Sequence, residues 1–109
     1  MVMQQARDFQ NESDALAALL EPLGETDFET PTLFKGWTIN NILRHLHVWN
    51  IAADLSLADE AAFGEFITTM MAGIRGGQLP DFEAAYLDGL SGHALVAEWI
   101  SRYRTMASH

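Results

Sequence analysis

The chain is predicted to fold as a single all-helical domain of bundle type spanning residues 1–109. Three observations predict it. Apolar residues recur every three or four positions through several long segments. Alternating strand patterns are nearly absent. Residues that start or stop helices stand where those segments begin and end.

The first helix is expected over about residues 3–22, with Ala6, Phe9, Ser13, Leu16, Leu20 and Leu23 on one face. Pro22 and Gly24 end it. A long loop follows over about residues 24–37, rich in Thr, Pro, Gly and acids, and Phe28, Phe34 and Trp37 are the aromatics suited to pin it. The second helix runs from about Ile39 to Leu55, with Thr38 placed to accept a backbone N–H of its first turn. Ser56 is the expected cap of a third, from about Leu57 to Ile74, whose acids Asp59 and Glu60 suit its positive end. Phe63, Phe66, Ile67, Met70 and Ile74 form its apolar stripe. Gly73, Gly76, Gly77 and Pro80 mark a turn, and a short helix covers about 81–89. The last helix, about 91–107, carries Leu95, Trp99, Ile100, Tyr103 and Met106, with Ser91 as its cap and Arg102 and Arg104 near its negative end.

Composition excludes several function classes. The formal net charge of −9 argues against nucleic acid and anionic membranes as partners, since both select a basic face. With no cysteine there is no disulfide, zinc knuckle or thiol nucleophile. The N-terminus lacks a signal-peptide core, and no apolar run reaches transmembrane length, so a cytoplasmic protein is expected. Gly76-Gly77 has neither the preceding strand nor the following Lys-Ser/Thr of a phosphate loop. The acids Asp54, Asp59, Glu60 and Glu65 read as a solvated helix start. Met70 and Met71 read as a core or interface stripe, and Trp37 and Trp99 as core aromatics or as walls of a pocket.

The segment Gly36–Leu46 carries the one hint of chemistry. Ile39, Ile42, Leu43 and Leu46 make a buried stripe on the second helix. At about 100° per residue the apolar arc centres near Leu46 and Ala53, with His45 and His47 on opposite shoulders. Trp49, one turn beyond His45, makes the His45 shoulder the more buried. A lone helical histidine is ordinarily a boundary residue making one hydrogen bond. His45 and His47 are two apart and diverge, so they cannot share a metal.

The pattern Gly36-Trp37-Thr38-Ile39-Asn40-Asn41-Ile42-Leu43-Arg44-His45-Leu46 resembles the N-terminal domain of the DinB-like superfamily, in the branch typified by mycothiol-dependent maleylpyruvate isomerase. Asn41 stands where that branch has aspartate. Leu16, Leu19 and Leu20 fit its first helix, and Leu90–Met106 with Trp99 is similar to a later one. The resemblance implies a four-helix DinB-like bundle. It also implies that His45 is a metal ligand, joined by a Glu/His-x-x-x-His pair from a later helix around a divalent ion, zinc or nickel. Open coordination positions would take water or a low-molecular-weight thiol.

No Glu/His-x-x-x-His pair follows here, His93 and Glu98 diverge on a helix, and His109 is terminal. The bundle is therefore expected to be incomplete, and the metal site with it, unless the missing ligands lie in a longer polypeptide or a second chain. Two functions follow. One is a metal- and thiol-dependent enzyme domain acting on a small molecule. The other is a non-catalytic module that homodimerises through the groove left by a missing helix.

Overall fold

A computed structural model describes residues 4–76 and 79–107. Five α-helices form: α1 (Gln4–Leu20), α2 (Ile39–Ala58), α3 (Glu60–Gly76), α4 (Leu79–Tyr86) and α5 (Gly92–Ala107), with a 3-10 turn at Glu25–Glu29. Among the described residues there is no strand, only an isolated antiparallel bridge between Pro31 and Thr38. The all-helical class follows from the sequence as expected. Ala6 and Ile74 have side chains outside the described ones, and Gly77 and His109 lie outside the described residues.

Helix α5 lies between α1 and α2 and packs on both, while α2 also carries α3 and α4. Among the described residues the backbones of α1 and α2 stay apart, while their side chains share one core. Two apolar cores result. One joins Leu20, Phe28, Leu43, Leu95, Val96, Trp99 and Tyr103, and the other joins Val48, Ala52, Phe66 and Met70. Leu87, just past α4, packs against both and ties them together.

Local chemistry explains the helix ends. The Asn41 N–H donates to Thr38 Oγ1 at 3.1 Å, and the Thr38 N–H donates to Asn41 Oδ1 at 3.0 Å. This is a reciprocal capping box, in which an amide oxygen does what a carboxylate would do. Helix α2 does not stop at Leu55 but continues to Ala58, and the cap of α3 is Asp59, whose Oδ1 accepts the Ala62 N–H at 3.0 Å. The Ser56 hydroxyl instead donates back to the Ala53 carbonyl at 2.7 Å, inside α2. Ser56 lies inside α2, so its backbone is helical and it cannot stand at the start of the next helix.

The α4–α5 connection is stitched to α2. Helix α4 ends in a Schellman arrangement: Gly89 N–H donates to the Ala84 carbonyl and Asp88 N–H to the Ala85 carbonyl, with Asp88 at φ 56°. Arg44 Nε donates to the Leu90 carbonyl at 2.8 Å. The side-chain caps of α5 come from distant residues, where Ser91 was expected. Gly92 N–H donates to Asn40 Oδ1 at 2.9 Å, and His93 N–H donates to the Glu25 carboxylate. The loop before α2 is likewise more ordered than a bare loop. Phe28 is fully buried at its base, against the edge of His93.

Gly92 has a positive φ of 59°, and a Cβ there would collide with the Glu25 carboxylate that caps α5. Gly92→Ala should therefore lower stability by about 1–3 kcal/mol. Gly64 lies inside α3 with open space where a Cβ would sit. Gly64→Ala should raise stability by about 0.5–1 kcal/mol. Urea unfolding of both variants checks the opposite signs.

Candidate functional site

The residues before α2 bring aromatic side chains to its flank. Trp37 N–H donates to the Phe34 carbonyl at 2.9 Å across Lys35 and Gly36, both at positive φ, as in a type I′ turn. Thr32 closes the turn, donating its N–H and its hydroxyl to the Trp37 carbonyl, each at 2.8 Å. The turn sets the Trp37 indole edge-to-face with the His45 imidazole, centroids 5.8 Å apart. Trp49, one turn along α2, meets the imidazole edge-to-face as well, also at 5.8 Å. Phe34 stacks edge-on to Trp37 at 5.4 Å, and the Lys35 ammonium lies 5.5 Å from the Phe34 centroid.

The ring of His45 is held from inside by Glu83 of α4. Nδ1 lies 2.8 Å from Glu83 Oε2 and 3.0 Å from the Trp49 indole nitrogen. An indole N–H only donates, so Trp49 uses Nδ1 as an acceptor, whereas a Glu83 carboxylate uses it as a donor. Nε2 has no hydrogen-bond partner among the described residues, and the His45 side chain is 35 % exposed. Glu83 is 0 % exposed and its other oxygen, Oε1, is buried without a partner. Burial pushes the Glu83 carboxyl above its ordinary range, while its hydrogen bond to His45 and the charge of that ring pull it back.

Glu83 was not singled out from the sequence. The signal was present: Leu79, Phe82, Tyr86 and Leu87 mark the apolar stripe of a short helix, and Glu83 occupies a position on that stripe. Its partner is 38 residues away, beyond any local spacing rule.

The two shoulders of α2 are reversed from expectation. His47, not His45, is the more buried, at 5 % exposure, because α5 packs on its side. The buried positions of α2 are Asn40, Leu43, His47, Val48 and Ala52, while Leu46 and Ala53, the expected centre of the arc, are exposed. Periodicity marks an apolar surface, and neighbouring helices decide which part of it they cover. His47 Nδ1 has no hydrogen-bond partner. Burial holds its imidazole below the usual value, the Arg102 guanidinium pushes the same way, and Glu98 opposes.

Other candidates resolve as structure. Trp99 is a core residue packed at a tilt against Tyr103, so it does not share a wall with Trp37; Trp49 does. Asp54 pairs with Arg102 of α5 at 2.7 Å. His93 Nε2 contacts the Leu23 carbonyl at 2.6 Å, away from Glu98. Met70 is buried and Met71 exposed.

As a metal ligand, His45 fits in one respect. An imidazole whose Nδ1 is anchored to a carboxylate and whose Nε2 is free is the usual form of a ligating histidine. The donor set is short of a full site: among the described residues no group of three or more His, Asp or Glu side chains is arranged to hold an ion. Nor is any described helix long and apolar enough to cross a membrane.

The all-helical fold is consistent with a DinB-like helical bundle. The chain matches the mycothiol maleylpyruvate isomerase N-terminal domain family over residues 9–108, and it belongs to that family. Two uncharacterised proteins of Mycobacterium tuberculosis, from strains CDC 1551 / Oshkosh and ATCC 25618 / H37Rv, are each 34 % identical to it over 92 residues. The match covers 84 % of this chain and 35 % of each relative, so the chain spans about a third of their length. No solved structure matches.

Because the fold favours neutral His47, the unfolded chain binds more protons once pH falls below the ordinary histidine value. Stability should therefore fall between about pH 7.5 and pH 5.5. Urea midpoints at both pH values should drop further for the wild type than for His47→Leu. Equal drops would remove His47 as the cause.

Proposed function

We propose that this domain supplies one ligand, His45, and the aromatic walls of a divalent-metal site in a thiol-dependent enzyme acting on a small molecule in the cytoplasm. The observation that carries the reading is the anchored imidazole: Nδ1 lies against buried Glu83, Nε2 has no hydrogen-bond partner among the described residues, and the Trp37 and Trp49 rings meet the imidazole edge-to-face. Family membership supports it. The remaining ligands would come from outside the described residues, as befits a chain that spans about a third of its relatives' length. Zinc or nickel suits an imidazole nitrogen. When bound, such an ion would lower the pKa of a coordinated low-molecular-weight thiol or water and polarise the substrate. The residues of this chain have simpler tasks. His45 binds through Nε2, Glu83 orients the ring, and the two indoles keep water from one side of the site.

The test is elemental analysis and Zn²⁺ or Ni²⁺ titration of the polypeptide as the cell makes it. The wild type should hold about one ion per chain, and His45→Ala should weaken binding at least about tenfold. A metal-free wild type, or a His45→Ala protein that binds equally well, would overturn the reading.

A second reading is supported by a separate feature. Leu16, Leu19, Leu20, Leu23, Ile39, Ile42, Leu43 and Leu46 line an open cavity of about 340 Å³ between α1 and α2. Leu19 is 71 % exposed there. In this reading a second copy of the chain covers the groove and the protein is a homodimer. Sedimentation at micromolar concentration should then give a dimer that Leu19→Glu dissociates. A wild-type monomer would rule the dimer out without touching the metal reading.

A further inference from the structure

Glu83 is the only fully buried carboxylate among the described residues, and it is poorly served by its surroundings. One oxygen meets His45 Nδ1 at 2.8 Å; the other is buried with no partner. Burying a half-satisfied carboxylate costs stability. An apolar side chain of similar size in such a place is often neutral or stabilising. Packing alone therefore gives no reason for an acid on the apolar stripe of α4. What the acid does have is a rigid mount. It sits one turn before the Schellman end of α4, flanked by Leu87 in both cores and by the Arg44–Leu90 bond.

Two neighbours make opposite demands on one imidazole nitrogen. The Trp49 N–H, 3.0 Å away, is satisfied when Nδ1 carries a lone pair, which leaves the proton on Nε2. A Glu83 carboxylate is satisfied when Nδ1 carries the proton, which leaves the lone pair on Nε2. Trp49 is 40 % exposed and can turn its N–H to water, whereas Glu83 has no access to water at all. Glu83 is the nearer and the more deeply buried of the two partners, and an ionised carboxylate there favours the proton on Nδ1.

We propose that Glu83 is a positioning residue that overrides Trp49 and holds the His45 proton on Nδ1, so that the lone pair is on Nε2, the ring nitrogen with no partner among the described residues. This deepens the reading of His45 as a ligand and rests on it for its purpose, although the tautomer can be measured without any metal. Removing Glu83 does more than loosen the ring. It leaves Trp49 as the remaining partner of Nδ1 and moves the proton to Nε2, the wrong nitrogen for a ligand.

Long-range ¹H–¹⁵N correlation spectra, recorded where the imidazole is neutral, read the tautomer directly. Wild-type His45 should show Nε2 as the unprotonated nitrogen. Glu83→Met should show Nδ1 unprotonated, with an unfolding midpoint at or above that of the wild type. Trp49→Phe should keep the wild-type tautomer. Zn²⁺ or Ni²⁺ affinity of Glu83→Met should fall about ten- to a hundredfold. A wild-type spectrum with the proton on Nε2 overturns the proposal, even if Glu83→Met fails to fold. So does an unchanged tautomer in Glu83→Met, or a loss of stability with no change of tautomer. If the wild type binds neither ion but the tautomer inverts as stated, the metal reading falls and the positioning role of Glu83 stands.

Discussion

The buried amide of Asn40 is the contact on which the arrangement of this domain depends. It sits at the second position of α2, 2 % exposed, and joins three elements. Its oxygen accepts the Gly92 N–H that opens α5, and its nitrogen donates to Glu29 in the 3-10 turn at 2.7 Å. Both ends of an amide in such a place must be satisfied, and together they admit one register of α5 against α2. One turn on, Arg44 takes the Leu90 carbonyl and His45 takes Glu83. Three polar rungs on a single helix thus fix the position of everything from α4 to the start of α5. The apolar cores then fill the space between, without needing to choose the register themselves.

That ladder holds the candidate site in place although His45 is partly open to solvent. His45 is the rung that reaches furthest toward the surface. Behind it stands a carboxylate that the fold holds at a cost; in front stand two indoles, one delivered by a tight turn and one by the helix itself. Buried polar groups left partly unsatisfied are uncommon in settled cores, and they concentrate where chemistry is done. His47, two residues away and facing α5, has an unpartnered nitrogen as well, but it is enclosed by packing and has no opening to a ligand.

The same arrangement leaves one side of the bundle uncovered. Leucines and isoleucines of α1 and α2 line an open furrow between those two helices, left uncovered among the described residues. The face of α2 in this furrow runs on from Ile42 and Leu46 toward Trp49, the neighbour of His45.

Much of this was legible in the sequence. The class, the number of long helices, the capping role of Thr38 and the family pattern around His45 all depend on residues within a turn or two of one another, where spacing and backbone chemistry suffice. Errors arose where a local choice was settled from far away. Ser56 and Ser91 are acceptable caps in isolation, yet Asp59 caps α3 and Glu25 and Asn40 cap α5. The apolar arc of α2 is wide enough to be buried on either shoulder, and only the placement of α5 made His47 the inner histidine and left Leu46 outside. Glu83 shows the limit most clearly: its position on an apolar stripe is visible, but its partner is not. By itself the sequence determined an all-helical domain and the histidine its second helix presents, because these are short-range consequences of periodicity and capping. Only the tertiary structure decided which histidine faces the opening, which acid stands behind it and which apolar face stays bare, because those depend on contacts between helices far apart in the chain.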